Sequence, residues 1–284
     1  MIARIFVLAL ACVLPDAVRA QSWAWDDGSV PFVASPEEVV SHMLGIAEVA
    51  PDDFLVDLGS GDGRIVIGAA RRGARALGLE IDPALVELAT ENARKAGVAE
   101  RARFERRDFF EADFGAATVV TMYLLPEVNL KLRPKLLALK PGTRIVSHDW
   151  DMGDWPADET LELRAPEKSL GIGGRSKIFL WVVPADVGGG WTSELPGYGT
   201  WRFRIAQRYQ ELDVAVSAQD RELVTRGARL RGARITLVAT GTVLDRAAHH
   251  LFKGTVEGDR IVGEVTISDG AGSRKLPWTA IRSR

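Results

Sequence analysis

Val56-Asp57-Leu58-Gly59-Ser60-Gly61-Asp62-Gly63-Arg64 is the stretch that decides the fold of this chain. It follows an apolar run, Phe54 to Leu58, and leads into Ile65-Val66-Ile67 and Ala69-Ala70, the apolar side of a helix. Glycines at alternate positions between a strand and a helix let the chain turn tightly. They also let its backbone approach a ligand, because no Cβ stands in the way. A dinucleotide fingerprint needs a further glycine where this chain has Arg64, so a pyrophosphate is not what the loop is built for.

The next strands carry acids at their ends. Leu79-Glu80-Ile81-Asp82 closes one, and Asp108 closes the one after. Alternate glycines preceded by an acid point to S-adenosylmethionine, whose groups are a cationic sulfonium, an amino-acid tail and a ribose diol. A carboxylate at Glu80 accepts hydrogen bonds from both ribose hydroxyls, a charge-assisted pair with strict geometry. Asp108 lies where the adenine amino group would be, and Asp57 lies near the ammonium group. The expected cofactor-binding residues are therefore Asp57, Gly59, Ser60, Gly61, Gly63, Glu80 and Asp108.

From Val30 to about Val183, short β-rich runs alternate with amphipathic helices. Phe54 to Leu58, Ala76 to Ile81, Arg103 to Glu105, Thr118 to Tyr123 and Thr143 to His148 read as strands. Ser35-Pro36-Glu37-Glu38 is a capping box with proline at the first helical position. Asp82-Pro83 opens a second helix, apolar at Leu85, Val86, Leu88 and Ala89, which stops near Gly97. Such alternation predicts an α/β fold: a Rossmann-like, mostly parallel, doubly wound sheet with helices on both faces.

After Pro184 the pattern changes. Trp201 to Ile205, Leu212 to Val216, Arg234 to Ala239, Phe252 to Val256 and Arg260 to Ile267 read as short strands, with Glu257-Gly258-Asp259 as a tight hairpin. Asp220 to Arg226 is the one segment expected to be helical. A small antiparallel β-barrel or sandwich follows. The expected organisation is a signal peptide at 1–20, a cofactor-binding domain at 21–184, a linker at 185–190 around Gly188-Gly189-Gly190, and a β-rich domain at 191–284.

Of the 284 residues, 46% are hydrophobic and 26% charged, with a net charge of −2. That balance gives no reason to expect a nucleic-acid partner. Arg4 precedes an apolar run from Ile5 to Leu14, Pro15 breaks it, and Val18-Arg19-Ala20 offers a cleavage site before Gln21. This is the layout of a secretory signal peptide and predicts an exported, periplasmic protein with no stable membrane span. Cys12 is the only cysteine, so the processed chain would have no disulfide, thiol chemistry or cysteine metal site. Trp23 and Trp25 are expected to pack onto the domain or cover the cofactor.

The stretch from Pro31 to about Trp155 resembles class I methyltransferases, roughly half the chain. Within them it is similar to the compact group that includes the mitochondrial lysine methyltransferases of the ATP synthase c subunit and adenine nucleotide translocase. The matching residues are Pro31-Phe32-Val33 with Ser35-Pro36, Asp57 to Arg64, and Gly78-Leu79-Glu80-Ile81-Asp82. Tyr123-Leu124-Leu125-Pro126 and Pro141-Gly142-Thr143 resemble bacterial relatives. The resemblance implies S-adenosylmethionine-dependent N-methylation, with a protein lysine as acceptor. The export signal and the β-rich tail depart from the group. That tail, closing with Leu276-Pro277-Trp278-Thr279-Ala280, resembles small calycin-like barrels of exported bacterial proteins.

Methyl transfer is an in-line displacement, so holding nucleophile and methyl group in line and excluding water is the main task. Tyr123 and Pro126 follow the fourth strand, where many amino-methyltransferases place a loop over the methyl group. Ser147-His148-Asp149-Trp150 ends the next strand on the same edge, and His148 is a candidate base or a structural histidine. The candidate catalytic residues are thus Tyr123, Pro126 and His148. His249-His250 does not form a metal site, because adjacent strand residues point to opposite faces. Arg226, Arg229, Arg231 and Arg234 read as a solvated strand face. Two other functions fit: methylation of a small molecule, and an exported, non-catalytic binding module that keeps the fold.

Overall fold

The described residues are 32–167 and 174–283 of a computed structural model. The expected signal peptide, Trp23 and Trp25 lie outside them.

Five parallel strands make the centre of the first sheet: β1 (Phe54–Leu58), β2 (Arg75–Glu80), β3 (Ala102–Arg106), β4 (Val119–Met122) and β5 (Arg144–His148). Two further strands, β6 (Glu159–Arg164) and β7 (Arg175–Val182), complete it with β7 antiparallel to both β5 and β6. The order is β3-β2-β1-β4-β5-β7-β6, so the chain reverses direction across the sheet between β1 and β4. In open sheets of this kind ligands bind beyond the carboxyl ends of the strands at that reversal.

The helices are α1 (Glu37–Ile46), α2 (Arg64–Arg71), α3 (Pro83–Lys95) and α4 (Pro126–Leu137). Side chains alternate across each strand and divide the core in two. Leu55, Val119, Val146 and Leu180 pack with α1 and α2. Val56, Val120, Ile145 and Trp181 pack with Leu132 and Leu136 of α4. Asp82 caps α3 by accepting from Ala84 N–H at 2.8 Å, and Pro83 supplies the first helical turn. Gly97, at φ 70°, ends it. Within α3 only Ala89 and Ala93 are buried, while Leu88 faces solvent.

The capping box at Ser35 is not formed. Pro36 is the N-cap of α1 without a side-chain bond, and Ser35 Oγ lies 2.8 Å from His148 Nδ1 instead. A buried imidazole far along the chain takes the hydroxyl that the local pattern assigns to the helix.

The second half closes into an eight-stranded antiparallel barrel: β8 (Gly189–Leu195), β9 (Gly199–Arg208), β10 (Glu211–Ala218), β11 (Arg221–Arg231), β12 (Arg234–Val243), β13 (Arg246–Glu257), β14 (Arg260–Asp269) and β15 (Gly272–Arg282). Closure leaves no sheet edge, since β8 pairs with both β9 and β15. Gly189 and Gly190 belong to β8, paired with Ile205 and Arg204. The interior is filled by Trp191, Trp201, Phe203, Phe252 and Trp278 among aliphatic neighbours.

The helix expected at Asp220 to Arg226 is a strand. Gln219 and Asp220 form a turn at φ 52° and 61°, and β11 follows with Leu223 inside and Val224 outside. A bulge at Gly227 (φ 62°) shifts its register. His250 is buried and His249 faces out, as period two requires.

Candidate active site

Three left-handed glycines shape the loop after β1: Gly59 at φ 74°, Gly61 at φ 50° and Gly63 at φ 84°. A Cβ at Gly63 would lie 2.6 Å from the Phe104 ring and 2.9 Å from Ala89, so backbone angle and space both select glycine. Gly78 on β2 has the same function from the other side, since a Cβ there would meet Ser60 Oγ at 2.5 Å. Gly59 and Ser60 N–H groups both donate to Leu79 carbonyl oxygen, and Gly63 N–H donates to Ser60 oxygen. Ser60 is buried, and its Oγ has no hydrogen-bond partner among the described residues.

Glu80 is buried against this loop. Its Oε2 accepts from Gly61 N–H at 2.9 Å, while Oε1 accepts from Ile81 N–H at 2.8 Å and Asp82 N–H at 3.1 Å. A carboxylate has roughly four acceptor positions, so one on Oε2 stays open. Asp57 is buried at the end of β1 and accepts from Thr121 Oγ1 at 2.7 Å. Burial pushes its carboxyl up to about 7, and the negative charges of Glu80 and Asp62 add to the shift. Asp108 closes the turn after β3, its Oδ1 accepting from Phe110 N–H at 2.8 Å. The loop, Asp57 and Glu80 share one edge of the sheet, with Asp108 at the end of the flanking strand.

The neighbouring strand ends bring a second group together. Tyr123 follows β4, half-buried, with its ring centroid 4.0 Å from that of His148. Its hydroxyl donates to Asp149 Oδ2 at 3.2 Å. Burial, with the Asp149 charge, pushes the Tyr123 phenol well above its usual range, so it stays a neutral donor. Pro126 opens α4 at its first position and sets the direction of that helix. His148 is wholly buried. Its Nδ1 bonds Ser35 Oγ at 2.8 Å and its Nε2 bonds Ser176 Oγ at 2.9 Å. With both nitrogens so engaged, the ring is placed to orient Tyr123 rather than to take a proton from solvent.

Asp149 is the residue that sequence reasoning left unassigned. It has φ 63°, its Oδ1 accepts from Lys177 N–H at 3.1 Å, and it stands beside the Tyr123 hydroxyl. A non-glycine residue in the left-handed region at a strand end marks a site held by its surroundings. An acid directly after a strand was the available signal. Asn129 of α4 is buried below, its Nδ2 donating to the Trp150 and Asp151 carbonyls at 3.1 and 3.3 Å. Trp150 itself is exposed at the rim.

The family described as the ANTKMT methyltransferase domain matches residues 57–159. A protein-lysine N-methyltransferase from Saccharolobus islandicus is 47% identical over 137 residues, covering 47% of this chain and 85% of that protein. The mouse adenine nucleotide translocase lysine N-methyltransferase is 37% identical over 128 residues, 44% of this chain and 56% of the enzyme. The chain thus spans only a little over half the length of that mammalian relative. A crystal structure of an RNA methyltransferase from Salinibacter ruber with S-adenosyl-L-homocysteine is 51% identical, covering 55% of this chain and 96% of that one at a TM-score of 0.49. No helix among the described residues is long and apolar enough to cross a membrane.

Proposed function

This chain belongs to the S-adenosylmethionine-dependent protein-lysine N-methyltransferase family, and from that membership we propose that it methylates the side-chain amine of a lysine in a protein. The observation that carries the assignment is the juxtaposition of two groups on one sheet edge. The glycine loop with Asp57 and Glu80 stands at the ends of β1 and β2, and Tyr123 with Asp149 stands at the ends of β4 and β5.

The residues present fit the cofactor. Left-handed angles at Gly59, Gly61 and Gly63 hold the loop in its tight turn, and the buried Ser60 hydroxyl has no partner among the described residues. Glu80 and Asp57 are acidic groups beside the loop, and a bound cation would favour the ionised form of Asp57, whose carboxyl burial pushes up to about 7; Asp62 is paired with Arg64 at 2.6 Å. When bound, S-adenosylmethionine supplies an electrophilic methyl group on a positively charged sulfur. Gly59, Ser60, Gly61 and Gly63 would hold it, Glu80 would accept from its ribose, and Asp57 would face its ammonium group. Asp108 would border the adenine.

On the acceptor side, lysine arrives charged and has to lose a proton before its lone pair can attack. The Asp149 carboxylate attracts the ammonium group, and the Tyr123 ring supports the aliphatic stem next to it. Burial against the half-buried wall opposes the charged amine while Asp149 favours it, and the proton leaves to water before attack. His148 and Pro126 orient this wall. Trp150, after β5, and Leu130, on α4, are exposed apolar side chains. Residues 1–20 are best read as a leader for export, which N-terminal sequencing of the native protein tests directly.

The function is tested by incubating the purified chain with S-adenosylmethionine carrying a labelled methyl group and with poly-L-lysine, then analysing the hydrolysed product. Labelled methyllysine is expected. Label in a small molecule of an added cell extract and none in lysine would favour the other enzymatic reading.

A further inference from the structure

The barrel reaches the sheet beside the acceptor side of the site, through its β9–β10 turn. Arg208 pairs with Glu211, leaving Tyr209 and Gln210 as the turn. Tyr209 stacks on Trp155 with ring centroids 5.8 Å apart and planes 21° from parallel. Gln210 Oε1 accepts from Trp155 Nε1 at 2.9 Å, and Gln210 Nε2 donates to Pro156 oxygen at 2.6 Å. Asp154 is gripped from both sides: Arg133 of α4 meets Oδ1 at 2.5 Å, and Arg208 of the barrel meets Oδ2 at 3.0 Å.

The gripped segment is the continuation of β5. It starts at Asp149, is tied to Asn129 of α4 through the Trp150 and Asp151 carbonyls, and runs through Met152 to Trp155, both buried. On its inner side Trp181 Nε1 donates to Trp155 oxygen at 3.0 Å. The segment is therefore fixed between α4 on one side and the barrel turn on the other. The surface ion pairs at Asp154 contribute little, being half exposed. The stack of half-buried Tyr209 on the buried Trp155 and the two Gln210 bonds dominate.

Tyr209 accepts a backbone cost to be there. Its φ is 56°, a left-handed conformation that a bulky side chain avoids. Glycine would suit the turn better for the barrel alone. The aromatic ring is retained where it serves the contact with Trp155 and not the hairpin.

We propose that the β9–β10 turn is a positioning element for the methyl acceptor, in which Tyr209 and Gln210 brace the segment after β5 and so hold Asp149 and Trp150 in the geometry that receives the substrate. This inference rests on the acceptor side assigned above, and it gives the barrel a part in the reaction without contact with the reacting atoms.

The test is Tyr209→Gly in the full chain, with Tyr209→Phe as the conservative variant. Glycine relieves the turn, so barrel melting is expected to stay level or rise while the brace is lost. Hydrogen exchange over residues 149–156 should speed up at least tenfold with barrel strands unchanged. The KM for poly-L-lysine should rise about tenfold with kcat within threefold and S-adenosylmethionine affinity within twofold. Tyr209→Phe should restore all of these values. Unchanged exchange, or faster exchange with unchanged KM, would overturn the proposal. Lack of transfer to poly-L-lysine by the wild-type chain would instead count against the lysine reading. The brace would then be judged by exchange alone, with unchanged protection overturning it.

Discussion

Tyr123 Oη donates to Asp149 Oδ2 at 3.2 Å across the ends of two adjacent parallel strands. Each side chain is useful through the other. The carboxylate would attract an ammonium group, and the neutral phenol donates to it. His148, buried beneath, packs against the ring with centroids 4.0 Å apart and planes tilted by 33°.

Asp149→Asn keeps the shape and removes the charge. It should lower kcat/KM for a lysine acceptor by a factor on the order of 10²–10³, the range for removing one positioned charged group. Tyr123→Phe should cost less, about three- to tenfold, because the ring remains. S-adenosylmethionine affinity, read by calorimetry, should change little in either variant.

Asp57 makes the cofactor-free chain sensitive to pH. Its folded pKa, about 7, lies above the ordinary 3.8, so the folded state binds the proton more tightly than the unfolded state. Between those values folding takes up a proton, and stability falls as pH rises through this window, by an amount on the order of a few kcal/mol. Denaturant melts from pH 4 to 8 should show the decline, and Asp57→Asn should flatten it. Binding of a cation beside Asp57 favours the ionised form. Cofactor affinity should therefore weaken as pH falls below about 7 in wild type, and less so in Asp57→Asn.

Gly63→Ala meets two obstacles together, φ 84° and the Phe104 ring at 2.6 Å. Both elements are packed, so relaxation is limited. A loss of about 2–4 kcal/mol is expected, from the left-handed conformation and overpacking combined. Chemical denaturation of the variant measures it directly.

Much of the first sheet was legible because its signals are local. Leu55 and Val56 in β1, and Pro83 after Asp82, say strand and helix start without help from distant residues. The glycine loop was legible for the same reason, since its left-handed angles admit few other residues. Asp220 to Arg226 was misread because its apolar residues alternate only against a barrel interior built by other strands. Ser35 looked like a helix cap, and only the folded chain shows that it serves His148, 113 positions away. Asp149 depends on β7 in the same way, because Lys177 N–H on that strand fixes its carboxylate. Strands β6, β7, β8 and β15 were not separated from their surroundings for want of clear local boundaries. The partnering of the barrel turn with Trp155 is wholly tertiary.

The most direct test of the cofactor assignment is calorimetric titration of residues 21–284 with S-adenosylmethionine, alongside Glu80→Ala. Glu80 would join the loop to the cofactor's ribose, and charged hydrogen bonds contribute about 1.5–3 kcal/mol each. Saturable one-to-one binding is expected in wild type, weakened at least tenfold in the variant. A well-folded wild-type chain that fails to bind, or a variant that binds as tightly as wild type, would contradict the site as described.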